Sequence, residues 1–306
     1  MTHGRAVLGM VVVTLLWSTA GVVSRFLEAA QSFEVTFWRS LFNLLGLAVL
    51  LTWLRGPAVW QNLRHASRAV WVSGLCWSVM FTAFMLAITM TRVANVLVTM
   101  SIGPLVTALL SRLVLQHRLP ARTWMAIAVA GAGIAWMFGH GVQAADARSV
   151  LGMAIALAVP LAAAVNWTLL HHQGHGARSV EGEVDDMLPA VLIGAAISAA
   201  VTLPLAWPLQ ATVHDLGLLA GLGVFQLAIP CLLVVRLTRA LPAPEISLLG
   251  LLEVIFGVLW AWIGAGEAPG QSALLGGALV IGALLANEGW ALHRRGAGRP
   301  ATAMLP

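Results

Sequence analysis

Glu253 lies in the run GLLEVIFGVLWAWIGAGEAPG (residues 250–270), where every other residue from Gly250 to Gly266 is apolar, tryptophan or glycine. An ionised carboxylate near a bilayer centre costs at least about 2.5–3.5 kcal/mol, and such acids mark substrate and proton routes. Two chemistries are open to it. Protonated, Glu253 can bond a neighbouring helix; facing a pathway, it can hold a substrate ammonium or a coupling proton.

Other side chains could join it. Thr14, Ser18, Gly21 and Arg25 share one helical face, with Trp17 beside Ser18. Trp17 falls in mid-span, away from the interface where tryptophan anchors, so it reads as a cavity wall, with packing or lipid contact as the alternative. Ser73, Trp77, Met80 and Phe84 form a stripe that serves packing or an adaptable apolar wall for varied cargo. Asn166 and Gln226 are isolated amides, which bond another helix or the polar end of a cargo. Trp260 shares the Glu253 face and could form an aromatic ceiling, whereas Trp262 points elsewhere as an interface anchor.

Pro104, Pro160 and Pro230 are expected to bend helices or act in gating. A helix-interior proline frees a backbone carbonyl, which a membrane helix tolerates where it faces a cavity. Arg39, about one turn from the end of its span, reads as a snorkelling side chain or part of an outer gate. His171, His172 and His175 fall in a polar stretch without acidic or cysteine ligands at set spacing, so no metal is expected.

The elements that must position these groups follow from composition. The 306 residues are 59% hydrophobic and 9% charged, against about 25% charged in an ordinary soluble domain. All 17 cationic residues are arginine, dispersed singly between apolar runs, which argues against nucleic-acid binding. The arginine bias and the alanine richness suggest a GC-rich bacterial genome, hence an inner (plasma) membrane. Cys76 and Cys231 sit inside apolar segments, far from any CxxC spacing, and read as small buried hydrophobes.

A crossing helix needs roughly 20 apolar residues. Ten stretches fit, near 6–26, 34–54, 70–90, 94–115, 122–139, 149–170, 187–207, 215–238, 245–265 and 271–292. The expected fold is an all-α polytopic membrane protein. Glu253 then lies about 12 Å into the ninth span, at about 1.5 Å per residue. With the N-terminus inside, 13 arginines fall on the inner side and 3 on the outer, so both termini are expected in the cytoplasm.

The halves repeat. VLGM opens both the first span (7–10) and the sixth (150–153), and PLVTALLSRLVLQHRLP (104–120) aligns without gaps on EVIFGVLWAWIGAGEAP (253–269). Pro104 is thereby the repeat mate of Glu253. Five helices per copy force the second copy to insert in the opposite sense, the plan of secondary transporters with midplane sites. The expected units are repeats at 1–145 and 146–296, followed by a cytoplasmic tail at 297–306.

LLWSTAGVVSRFL (15–27) resembles the first-helix pattern of the drug/metabolite transporter superfamily, EamA type. ANVLVTMSIGPLVTALLSRLVLQHRLPARTWMAIAVAGAGI (94–134) is similar to that family's fourth and fifth helices, and Pro244–Gly282 repeats the pattern. The resemblance implies ten helices around a central cavity lined mainly by helices 1, 3, 4, 6, 8 and 9, and it points to the amino-acid exporter branch. His117-Arg118 stand where the family often has a glycine–glutamate pair, which survives only as Gly266-Glu267.

The functional expectation is a secondary transporter that exports small amphipathic metabolites, among them aromatic amino acids, by alternating access through a midplane cavity. Trp17, Trp77, Met80 and Trp260 would hold the apolar part; Asn166, Gln226 and Glu253 would address the polar end, beside Ser18. Its partners would be the substrate and the lipid bilayer, with no cofactor, and a monomer would suffice. A cationic drug or another metabolite with Glu253 as counter-ion or proton site is the alternative. A structural, non-transporting membrane protein is a more remote one. HExxH, GxSxG and paired intramembrane aspartates are lacking, which argues against an enzyme.

Overall fold

Apolar helices satisfy every backbone donor and acceptor internally, and only such helices or closed barrels can cross lipid. The computed structural model describes residues 2–30, 32–91, 96, 99–114, 120–139, 147–176, 186–265 and 271–297, and helices dominate them. The His117-Arg118 and Gly266-Glu267 pairs and the tail beyond Ala297 lie outside the described residues.

Helix occupies part of each of the ten expected stretches. They are α1 (His3–Phe26), α2 (Ser32–Arg55), α3 (Arg68–Met90), α4 (Gly103–Val114) and α5 (Ala121–Gly139). The second half holds α6 (Ala147–Gly176), α7 (Pro189–Ala206), α8 (Val213–Leu237), α9 (Ala243–Gly250 continued by Leu252–Ala265) and α10 (Gln271–Ala297). A short helix, Ala58–Arg64, follows α2. Among the described residues, seven helices are long and apolar enough to cross a membrane; α4, α5 and α10 are not among them. His171 and His172 belong to α6, which runs on to Gly176 where a polar loop was expected. The His171 ring stands 3.3 Å from the Thr238 carbonyl.

Polarity is turned inside out. Leu113, Trp53, Val49 and Leu285 are exposed, while Thr14, Ser40, Asn43, Ser73, Asn166 and Thr202 are buried. That distribution suits a polytopic membrane protein, where buried hydroxyls and amides bond between helices. Ser40 and Thr82 each lie 2.9 Å from the Ser198 hydroxyl, linking α2, α3 and α7. Ser73 donates to Asn166 Oδ1 at 2.6 Å, joining α3 to α6.

The packing has an internal correspondence. α2 packs on α7, α4 on α9, and α5 on α10, pairs that map onto themselves when the halves are exchanged. Under the same exchange, α3 on α6 maps to α8 on α1, α3 on α7 to α8 on α2, and α4 on α6 to α9 on α1. Each of these contacts is present.

Several rods are interrupted near the middle of the molecule, each for a local reason. In α1, Thr14, Ser18 and Thr19 donate back to Val11, Leu15 and Leu16 carbonyls at 2.9, 2.8 and 2.7 Å. Such back-bonding bends helices, and the regular helix stops at Trp17 before resuming at Thr19. In α8, Leu222–Ala228 winds as a π-helix. Pro230, just beyond, has no N–H and crowds the carbonyl four residues back, which belongs to Gln226. In α9, Leu251 and Val254 donate to Leu248 and Leu251 carbonyls, a tightened turn immediately before Glu253. Pro104 is not interior: α4 begins at Gly103, so the proline occupies its first turn, where a missing N–H costs nothing.

Candidate functional site

The interruptions surround one cavity. It has an empty volume of about 960 Å³, including the space that opens to solvent. α1, α2, α3, α4, α6, α8 and α9 all contribute lining residues. α2 is the addition to the expected set.

One wall is apolar and aromatic, built by Trp17, Trp77, Phe81, Phe84 and Trp167, with Met10, Met80 and Met100. Trp77 and Trp167 meet edge to face, with centroids 5.3 Å apart and planes at 80°. Phe81 lies 5.5 Å from Trp77 in a tilted arrangement. Offset and edge-on geometries are the favourable ones for ring quadrupoles, so these rings form a fixed wall, while the methionines supply deformable surface.

The polar groups of the lining are few: Arg39, Ser101, Gln226, Cys231, Ser247 and Glu253. Glu253, in the first turn of the second piece of α9, makes no hydrogen bond or ion pair with a described residue. Gln226 Nε2 donates to the Trp17 carbonyl at 3.1 Å, while its Oε1 is buried without a partner among the described residues. The indole Nε1 of Trp77 is likewise buried and unpaired there.

Arg39 corrects a reading made from the sequence. It does not snorkel; it is 2% exposed and lines the cavity. Gly223 explains how: a Cβ at that position would stand 2.8 Å from the Arg39 carbonyl and 2.7 Å from the Asn43 nitrogen. The π-wound part of α8 therefore presses onto the α2 backbone and seals the arginine inside.

The sequence-derived candidates divide into two groups. Trp17, Trp77, Met80, Gln226, Glu253, Pro104 and Pro160 all line the cavity. Ser18, Asn166, Trp260 and Pro230 stand outside the lining. Trp260 donates to the Ser18 hydroxyl at 2.9 Å, fastening α9 to the interruption in α1. Asn166 is fully buried and takes its bond from Ser73, so its amide serves the α3–α6 seam. Phe81, Trp167 and Cys231 join the lining beyond the residues expected from the sequence, although Trp77, Phe81 and Phe84 share helical spacing. Among the described residues, no cluster of three metal-binding side chains occurs.

The comparisons with known proteins follow the helices that build this cavity. Residues 4–139 match the EamA-like transporter family. That match takes in α1 to α5, and therefore Trp17, Arg39, Trp77, Met80 and Pro104. An uncharacterized transporter, PA0485 of Pseudomonas aeruginosa, is 27% identical over 131 residues, which are 41% of this chain and 44% of that protein. The aligned part thus spans less than half of that relative. A solved crystal structure superposes with a TM-score of 0.73 at 21% identity, covering 95% of this chain and 98% of the other. The shared fold therefore extends beyond the EamA-like half over nearly the whole chain.

Proposed function

We propose that the chain is a secondary transporter of the inner (plasma) membrane of a bacterium. It exports small amphipathic metabolites, amino acids with aromatic side chains among them. In this reading ten helices cross the bilayer as two inverted five-helix repeats, 1–145 and 146–296, with both termini in the cytoplasm. The observation that carries the reading is the cavity itself: a carboxylate, Glu253, without a hydrogen bond or ion pair among the described residues, in one lining with a set of packed aromatic rings.

The mechanism is alternating access. The halves rock about the cavity and open it in turn to each side. The exchange correspondence in helix packing supports two equivalent halves, and the arginine asymmetry of 13 against 3 supports the orientation. The EamA-like match supports transport as the activity. Interrupted helices beside the cavity are a feature of the kind transporters use at substrate sites.

The side chain of a cargo lies against Trp17, Trp77 and Met80, and Glu253 receives its ammonium. The absence of a bonding partner for Glu253 among the described residues also favours a second reading, in which a cationic drug or another metabolite takes that place or a proton is coupled there. Counterflow of labelled amino acids in liposomes containing the purified protein tests the choice. Uptake of labelled phenylalanine competed by unlabelled tryptophan is expected. Uptake of organic cations with no response to any amino acid supports the second reading instead.

A further inference from the structure

Arg39 is a cation in want of an anion. Its Nη1 donates to Met85 Sδ at 3.0 Å, a weak thioether acceptor, and its Nε is buried with no partner among the described residues. A guanidinium carries five donors and no acceptor, and burying them unsatisfied is costly. Helix α2 is committed to this arrangement, since Thr36, Ser40 and Asn43 beside it are buried as well. The guanidinium lines the same cavity as Glu253. They form no ion pair with one another.

Two opposite charges held apart in one cavity, with aromatic rings beside them, are complementary to a molecule that carries both charges on a short stem. We propose that Arg39 is the carboxylate subsite of the cavity and that Arg39 and Glu253 together select zwitterionic α-amino acids over simple amines and simple acids. The carboxylate takes the free edge of the guanidinium, whose fork geometry suits two parallel hydrogen bonds. The ammonium faces Glu253, and the side chain lies against Trp77 and Met80. Gln226, whose Oε1 is buried without a partner among the described residues, lines the same cavity. This inference rests on the amino-acid reading of the cavity and adds to it the group that discriminates.

The test uses the full chain, purified in detergent, with three probes of one shape at pH 7: phenylalanine, phenethylamine and 3-phenylpropionate. Binding is read by ligand-induced thermal stabilisation, and flux by competition in proteoliposomes. Phenylalanine is expected to bind the unmodified protein tightest. Arg39→Gln is expected to weaken phenylalanine and 3-phenylpropionate by roughly 10-fold or more while phenethylamine holds. Arg39→Lys keeps the charge, which guards against a folding defect, and is expected to recover part of the loss. Glu253→Gln is expected to weaken phenylalanine and phenethylamine and spare 3-phenylpropionate.

Equal weakening of all three probes by Arg39→Gln, or of none, overturns the subsite. Transport of phenylalanine that Arg39→Gln leaves intact removes the subsite and keeps the amino-acid reading. Arg39-dependent binding of 3-phenylpropionate without any amino-acid response keeps the carboxylate subsite and removes both the zwitterion selection and the amino-acid reading. A protein that answers to no carboxylate overturns the subsite and the amino-acid reading together.

Discussion

Gln226 donates from Nε2 to the carbonyl of Trp17 at 3.1 Å, so the π-wound segment of α8 grips α1 where its regular helix stops. Carbonyls at a helix end lack intrahelical partners, and this one is satisfied by a side chain from the other half of the chain. The bond couples two interrupted rods at the edge of the cavity.

Gln226→Leu removes that donor and leaves the Trp17 carbonyl unsatisfied in an apolar setting. A loss of about 1–3 kcal/mol is expected, together with altered flux because a bond between the two halves beside the cavity is lost. Thermal unfolding in detergent and proteoliposome flux measure the two effects. An unchanged melting temperature would show that the bond is immaterial.

Gly223→Ala places a methyl group 2.6 Å from Phe42 Cβ and 2.7–2.8 Å from the α2 backbone. Backbone cannot yield as a flexible side chain does, so α8 must retreat. The expected cost is roughly 1–3 kcal/mol, read as a lower melting temperature. Entry of water to Arg39 is expected too, read as faster hydrogen exchange in α2. A variant as stable as the parent would contradict the close approach.

These two positions show what can be read from the chain in advance and what cannot. Glu253 stands out because one carboxylate in an unbroken apolar run is anomalous whatever the tertiary structure, and Pro230 signals disruption through its missing N–H. Arg39 gives no such signal: one arginine near the end of a span fits snorkelling, and burial becomes visible only once Gly223 brings α8 against α2. A clue was present in the helical spacing of Thr36, Arg39, Ser40 and Asn43, a polar face inside an apolar helix. Asn166 and Trp260 illustrate the converse. Periodicity gives the face a residue shares with its own helix but not that helix's rotation against its neighbours. Both side chains bond across seams, to Ser73 and Ser18.

Asp215 holds the connection between α1 and α2 onto the start of α8. Its carboxylate accepts from the backbone nitrogens of Glu28, Ala29 and Ala30 at 2.8, 3.0 and 3.0 Å, and it closes a capping box with Thr212. Glu34 acts alongside, accepting from Gln210 and Ala211 nitrogens at 2.8 and 2.7 Å. Asp215→Ala therefore frees four backbone donors at once, those of Glu28, Ala29, Ala30 and Thr212. Its melting temperature is expected to fall, by roughly 2–4 °C per kcal/mol lost, with increased hydrogen exchange at residues 28–30. Protection equal to that of the unmodified chain would show that other contacts hold the connection.

Glu253→Gln keeps the shape and removes the charge. The fold is expected to persist, because no described residue bonds the carboxylate, while flux of ammonium-bearing substrates falls roughly 10-fold or more. Flux against pH in proteoliposomes is the measurement. A variant that moves substrate at the parent rate across the whole range would remove both the ammonium-binding and the proton-coupling roles.

Alternating access requires that the cavity beside Glu253 reach both sides of the membrane. A single cysteine at Met80, which lines that cavity, in a chain with Cys76 and Cys231 replaced by alanine, reports this directly. Membrane-impermeant thiol reagents are applied from each side in turn to oriented vesicles. Labelling from both sides, slowed by transported amino acid, is the predicted result. Labelling confined to one side with and without substrate, or none from either, would contradict alternating access through this site.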